Sequence, residues 1–73
     1  MVMVQKRPVF TGFEDVHKWL ENFEHVTALM EWSEDMRVDG FPLCMRNLAE
    51  DWYLGLPLND RPNWKKLKRA MLN

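Results

Sequence analysis

The chain has 73 residues, a formal net charge of −1, 47% hydrophobic residues, and four Trp, four Phe and one Tyr. That density of large apolar groups excludes a disordered segment, and the length fits one small domain that buries only about 60% of the surface its unfolded chain exposes. A lone cysteine, Cys44, excludes an internal disulfide and a Cys-pair zinc site, and no apolar run approaches the roughly 18 residues of a membrane span, so an intracellular, cytoplasmic protein is expected.

In chain order, MVMVQKRPVFTGF (residues 1–13) is rich in β-branched and aromatic residues and carries Pro8, so it reads as an extended segment preceding a helical bundle over 14–73. It has no partner strand in the sequence. It must therefore lie over the helices, pair with a copy of itself, or pair with a ligand.

Val16, Trp19, Leu20, Phe23, Val26, Thr27 and Met30 recur at steps of three and four, predicting an amphipathic helix over 14–30 with Lys18, Glu21 and Glu24 on its polar side. Thr11 and Glu14 have the spacing of a capping box, and Asp15 is an alternative cap. Ser33 ahead of Glu34 and Asp35 marks a second start. The second helix is expected over 34–46, bent near Phe41 or broken into two pieces, because Gly40 and Pro42 interrupt it.

Leu48 to Leu56 form a short third helix with Leu48, Ala49, Trp52 and Leu56 on one side, ended by Gly55 and Pro57. Tyr53 lies about 100° round the axis from Trp52. Trp52 is therefore expected in the core beside Ala49, and Tyr53 at its edge or in a binding surface. Pro62 is expected near the first position of a fourth helix whose apolar stripe is Trp64, Leu67 and Met71. The expected core is Trp19, Leu20, Phe23, Ala49, Trp52, Trp64 and Leu67.

Charge is unevenly spread. Residues 1–30 carry −1, residues 31–60 carry −5, and residues 61–73 carry +5, from Arg61, Lys65, Lys66, Lys68 and Arg69. Those cations either complement the negative end of the last helix or form a surface for an acidic partner. No aromatic stacking platform accompanies them, so nucleic acid is not expected as a partner of this region alone.

Nothing in the chain has the form of catalytic, cofactor-binding or metal-binding machinery. His17 and His25 have no third ligand at suitable spacing, Ser33 is accounted for as a cap, Cys44 lies on an apolar stretch, and no glycine-rich phosphate loop is present. No enzyme activity and no cofactor are expected.

Six blocks in order, Phe10-x-Gly12, Trp19-Leu20-x-x-Phe23, Trp32-Ser-Glu-Asp35, Phe41-Pro-Leu43, Asn47-x-Ala49-x-x-Trp52-Tyr53-x-x-Leu56-Pro57 and Trp64-x-x-Leu67-Lys68, resemble the Gag domain of Ty3/gypsy-type retrotransposons and of host proteins descended from them, such as Arc and the paraneoplastic Ma antigens. The likeness runs from about residue 8 to residue 72. It implies an all-α bundle of four or five short helices, the N-terminal lobe of a retroviral-type capsid, acting as a self-assembly module of a shell through weak contacts with its own copies. Arg61, Lys65, Lys66, Lys68 and Arg69 are then the candidate assembly surface.

The resemblance to Arc-like lobes implies an alternative, a peptide-binding adapter with an apolar groove beside the N-terminal segment. Val26, Cys44 and Arg46 fall at positions of groove residues, with identities that do not carry over a peptide specificity. Phe10 and Tyr53 are candidate groove walls on physical grounds. Where many relatives have Gly before the Ala-x-x-Trp block, this chain has Asn47, which tolerates a left-handed backbone better than most residues.

Overall fold

The computed structural model describes residues 8–73. The amphipathic stripe of the first segment makes α1, Val16–Leu29. Asp15 caps it, its Oδ1 accepting the Lys18 N–H at 3.0 Å, so the helix starts two residues later than the expected position 14. Thr11 and Glu14 do pair, but outside the helix. The Glu14 carboxylate accepts the Thr11 N–H and hydroxyl and closes a turn ahead of the cap. The helix ends in a Schellman motif, with Trp32 N–H donating to Thr27 O (2.9 Å) and Glu31 N–H to Ala28 O (3.0 Å), and Glu31 at φ +60°.

Ser33 caps α2, Glu34–Gly40, as its position ahead of two acids indicates. The expected helix over 34–46 divides at Gly40. Phe41–Cys44 form a 3-10 turn with Pro42 in its first turn, where a missing N–H leaves no bond unmade. α3 spans Leu48–Leu54 and stops at Gly55, short of Leu56. α4 spans Trp64–Leu72, and its cap is Asn63, whose Oδ1 accepts the Lys66 N–H, so Pro62 lies before the helix and not in its first turn.

The described residues form an all-α bundle of four short helices and one 3-10 turn. Its core joins Trp19, Leu20 and Phe23 of α1 to Ala49 of α3 and Trp64, Leu67 and Met71 of α4, with Phe10, Phe41, Cys44 and Met45 between them. Phe41 is the hub. It is wholly buried, and its ring centroid lies 5.8–5.9 Å from those of Trp19, Phe23, Tyr53 and Trp64. Such tilted and edge-to-face pairs add about 0.5–1.5 kcal/mol each beyond burial. Trp52 packs against this core while only half-buried, its ring centroid 6.4 Å from that of Phe41.

Two side-chain clasps hold the helices in register. Glu24, expected on the solvent side of α1, reaches α4 instead, where its Oε2 accepts the Trp64 Nε1–H at 3.3 Å and pairs with Lys68 Nζ at 3.0 Å. Arg37 of α2 donates from Nε to Thr27 Oγ1 (2.7 Å) and from Nη2 to the Glu24 carbonyl (3.3 Å). The Thr27 hydroxyl in turn donates to Phe23 O at 2.8 Å, so this buried oxygen both donates and accepts.

Of the extended segment 1–13, residues 1–7 lie outside the described residues. From Pro8 onward the chain lies over the helices. Phe10 pairs with Met45 in a single parallel bridge, Phe10 N–H to Cys44 O (2.8 Å) and Arg46 N–H to Phe10 O (2.9 Å). The described part of the segment thus lies over the helices, held by an isolated bridge to the link after the 3-10 turn.

Candidate functional site: an apolar recess beside Phe10

The segment that crosses the bundle leaves a recess between itself, α1, α3 and the end of α4. Thr11 O accepts the Ala49 N–H at 3.1 Å, which draws the crossing chain onto the start of α3. Gly12 follows at φ +106°, and a β-carbon there would stand 3.2 Å from Leu48 Cβ, so only glycine lets the chain turn away so close to the helix.

The recess holds about 260 Å³. The buried Phe10, Ala49 and Met71, the half-buried Val16 and Trp52, and the exposed Leu48 and Gly12 line it. No titratable side chain lines it. It can accept an apolar side chain against the open side of Trp52, and it has no group to move a proton or attack a bond. Glu14 and Asp15 stand just before Val16 in the chain, and Glu50 and Asp51 separate Ala49 from Trp52, all four exposed. Hydrogen bonds from the Thr11 and Lys18 backbone hold the Glu14 and Asp15 carboxyls, respectively, below their ordinary pKa values.

Of the five expected groove residues, only Phe10 lines this recess. Cys44 is buried, its thiol directed to Gly40 O at 3.7 Å, and its carbonyl accepts the Phe10 N–H at 2.8 Å. Arg46 is exposed, and its guanidinium turns back onto the carbonyls of Leu43 (2.7 Å) and Met45 (2.8 Å). Val26 is half-buried on α1 away from the recess lining. Tyr53 is half-buried between Phe41 and Arg61, whose guanidinium carbon lies 5.3 Å from the Tyr53 ring centroid. Val16, Leu48, Trp52 and Met71 line the recess as well. Each sits on a predicted apolar stripe, but only the path of residues 10–12 makes those stripes into one wall.

The expected cationic surface also divides. Arg61 is half-buried and donates from Nη2 to Leu54 O and Leu56 O, tying down the end of α3. Lys68 is paired with Glu24. Lys65, Lys66 and Arg69 remain exposed on the outer side of α4. Among the described residues no three His, Cys, Asp or Glu side chains are placed to hold a metal ion, and no helix is long and apolar enough to cross a membrane. No family model, curated protein or solved structure matches this chain.

Proposed function

We propose that this chain is a Gag-type capsid N-lobe that works as an intracellular self-assembly module, contributing faces to a shell of its own copies. The order of the six sequence blocks supports the family reading. The observation that carries the function is the segregation of unpaired charge. Lys65, Lys66 and Arg69 are exposed on one side of α4, while Glu31, Glu34, Asp35 and Asp39 are exposed on and beside α2. The one ion pair among the described residues is Lys68–Glu24, which uses none of these groups. Opposite charges left unneutralised within one copy can be neutralised between copies in a head-to-tail contact, the kind that closes rings or extends sheets.

The test is sedimentation equilibrium of the 73-residue chain from micromolar to millimolar concentration, at low salt and at about 0.15 M, where the Debye length is about 8 Å. Mass should rise with concentration, and less so at the higher salt. A monomer throughout at low salt would remove the reading.

The recess beside Phe10 favours a second reading, an adapter that takes an apolar side chain of a partner peptide. Peptides bearing a single Leu or Phe should then shift the NMR signals of Val16, Ala49 and Met71, and Trp52→Ala should abolish those shifts. Shifts that survive Trp52→Ala would place the peptide elsewhere.

A further inference from the structure

A second apolar hollow, of about 320 Å³, opens on the outer side of α2. Trp32, Met36, Asp39, Gly40 and Leu43 line it. Met36 and Leu43 are 49% and 51% exposed. Asp35 lies one helical turn before Asp39 on the same side of α2. The one cation of α2, Arg37, is directed away into its contacts with Thr27 and the Glu24 carbonyl. The open face is therefore apolar at its centre and purely acidic at its edge.

We propose that this hollow is the docking surface for the outer side of α4 of a second copy. The inference rests on the self-assembly reading and names the two faces that meet. The charge is complementary within a single sequence: the exposed charged groups of α4 are Lys65, Lys66 and Arg69, and no acidic residue follows Asp60. The spacing is complementary as well. Lys65 and Arg69 are four residues apart, as are Asp35 and Asp39, so two ion pairs can form at once between helices laid side by side. The methylene stems of Lys65 and Arg69 then cover Met36 and Leu43 while their heads reach the carboxylates.

Within one copy this contact is not made. The inner side of α4 is committed to the core through Trp64, Leu67 and Met71, and its outer cations form no ion pair with the carboxylates on α2. The donor and acceptor faces are different surfaces of the chain, so each copy can give one and receive one. Rim ion pairs over a small apolar floor give weak, salt-sensitive association.

The experiment is a charge swap on the full chain, read by sedimentation equilibrium at low salt. One variant carries Asp35→Lys and Asp39→Lys, the other Lys65→Glu and Arg69→Glu. Each alone should associate at least tenfold more weakly than the parent, and an equimolar mixture should regain association, because each reversed face then meets a reversed partner. Circular dichroism checks that both remain helical. If the Lys substitutions disturb α2, Asp35→Asn with Asp39→Asn removes the charge at exposed positions, and should weaken association in the same direction. Parent-like association of the α2 variants would overturn this interface while leaving self-assembly through another face. A parent chain that stays monomeric to millimolar concentration would overturn both.

Discussion

The Trp32 indole occupies the space that a β-carbon on Gly40 would fill: such an atom would lie 2.7 Å from Cη2 of the ring and closer still to Cζ3. Gly40 is the last residue of α2 and is buried, so the indole packs directly on backbone. Helix propensity alone would make Gly40→Ala stabilising by about 1 kcal/mol. Moving a half-buried indole off its seat sacrifices part of the roughly 1.5–3 kcal/mol that burying a large apolar side chain supplies. The steric term should win, giving a net loss of about 1 kcal/mol and a red shift in Trp fluorescence. In a Trp32→Ala background the sign should reverse, with Ala at position 40 stabilising. Urea unfolding of the four proteins of this double-mutant cycle measures both signs. Equal effects in the two backgrounds would show that Gly40 is not there for Trp32.

Among the described residues, two other than glycine hold positive φ, Glu31 at +60° and Asn47 at +56°. Glu31 is the left-handed residue of the Schellman motif that ends α1, and Asn47 begins α3 with no side-chain capping bond to compensate for its conformation. A non-glycine residue in such regions costs on the order of 1–2 kcal/mol, against which glycine loses about 0.4–1 kcal/mol through its freer unfolded chain. Glu31→Gly and Asn47→Gly should therefore each stabilise the fold by about 0.5–1 kcal/mol, and additively, since the two turns end different helices. Thermal melts of the single and double variants decide this. Destabilisation by either would mean its side chain makes a contact that outweighs the strain.

What could be read from the sequence follows the range of the forces involved. Helix stripes, the Ser33 cap and the break near Gly40 and Pro42 depend on neighbours within a turn or two, and all were legible. Phe41 as hub of the aromatic cluster was not, because it belongs to no stripe. It is positioned by the 3-10 turn, whose geometry depends on Gly40 admitting Trp32. Glu24 was misread for a related reason: periodicity places it on the polar side of α1, and only the approach of α4 brings Trp64 and Lys68 to it. The recess shows the same limit. Val16, Leu48, Trp52 and Met71 each lie on an apolar stripe, but the crossing of residues 10–12 that joins them rests on backbone bonds to Cys44, Arg46 and Ala49 that no local pattern announces. Cys44 and Arg46, groove positions carried over by resemblance, meet Phe10 through backbone atoms, which no side-chain alignment can register.

Glu24 allows a ranking test. Glu24→Ala leaves the Trp64 indole N–H without its acceptor inside a residue that is only 4% exposed, a loss of about 1–3 kcal/mol. Glu24→Gln keeps an acceptor and should cost less. Lys68→Ala removes only a pair whose side chains are 38% and 32% exposed, for which about 0–1 kcal/mol is expected. The order of denaturation midpoints should be parent, Lys68→Ala, Glu24→Gln, Glu24→Ala, with the first two close together. If Lys68→Ala proves as costly as Glu24→Ala, the ion pair and not the indole hydrogen bond is the functional part of the clasp.

The Thr11–Lys18 stretch sets part of the acid response. The Glu14 carboxyl is held below its ordinary pKa first by the Thr11 backbone N–H, and the Asp15 carboxyl first by the Lys18 backbone N–H. Because the folded values lie below the unfolded ones, the unfolded chain binds protons more readily as pH falls. The stability these groups contribute is therefore complete above the ordinary carboxylate range and is lost as pH drops through the lowered values. Asp15→Asn keeps a good helix cap without a titrating group, so it should flatten the acid side of the stability curve while leaving the helix signal at neutral pH in place. Adding Glu14→Gln should flatten it further. Thermal midpoints taken from about pH 7 down to about pH 2 would show this directly, since that interval spans the ordinary carboxylate values and what lies below them. An acid limb as steep in the double variant as in the parent would assign the loss of stability to other carboxylates. In that event the Thr11–Glu14 turn would be a consequence of the crossing segment and not a support for it.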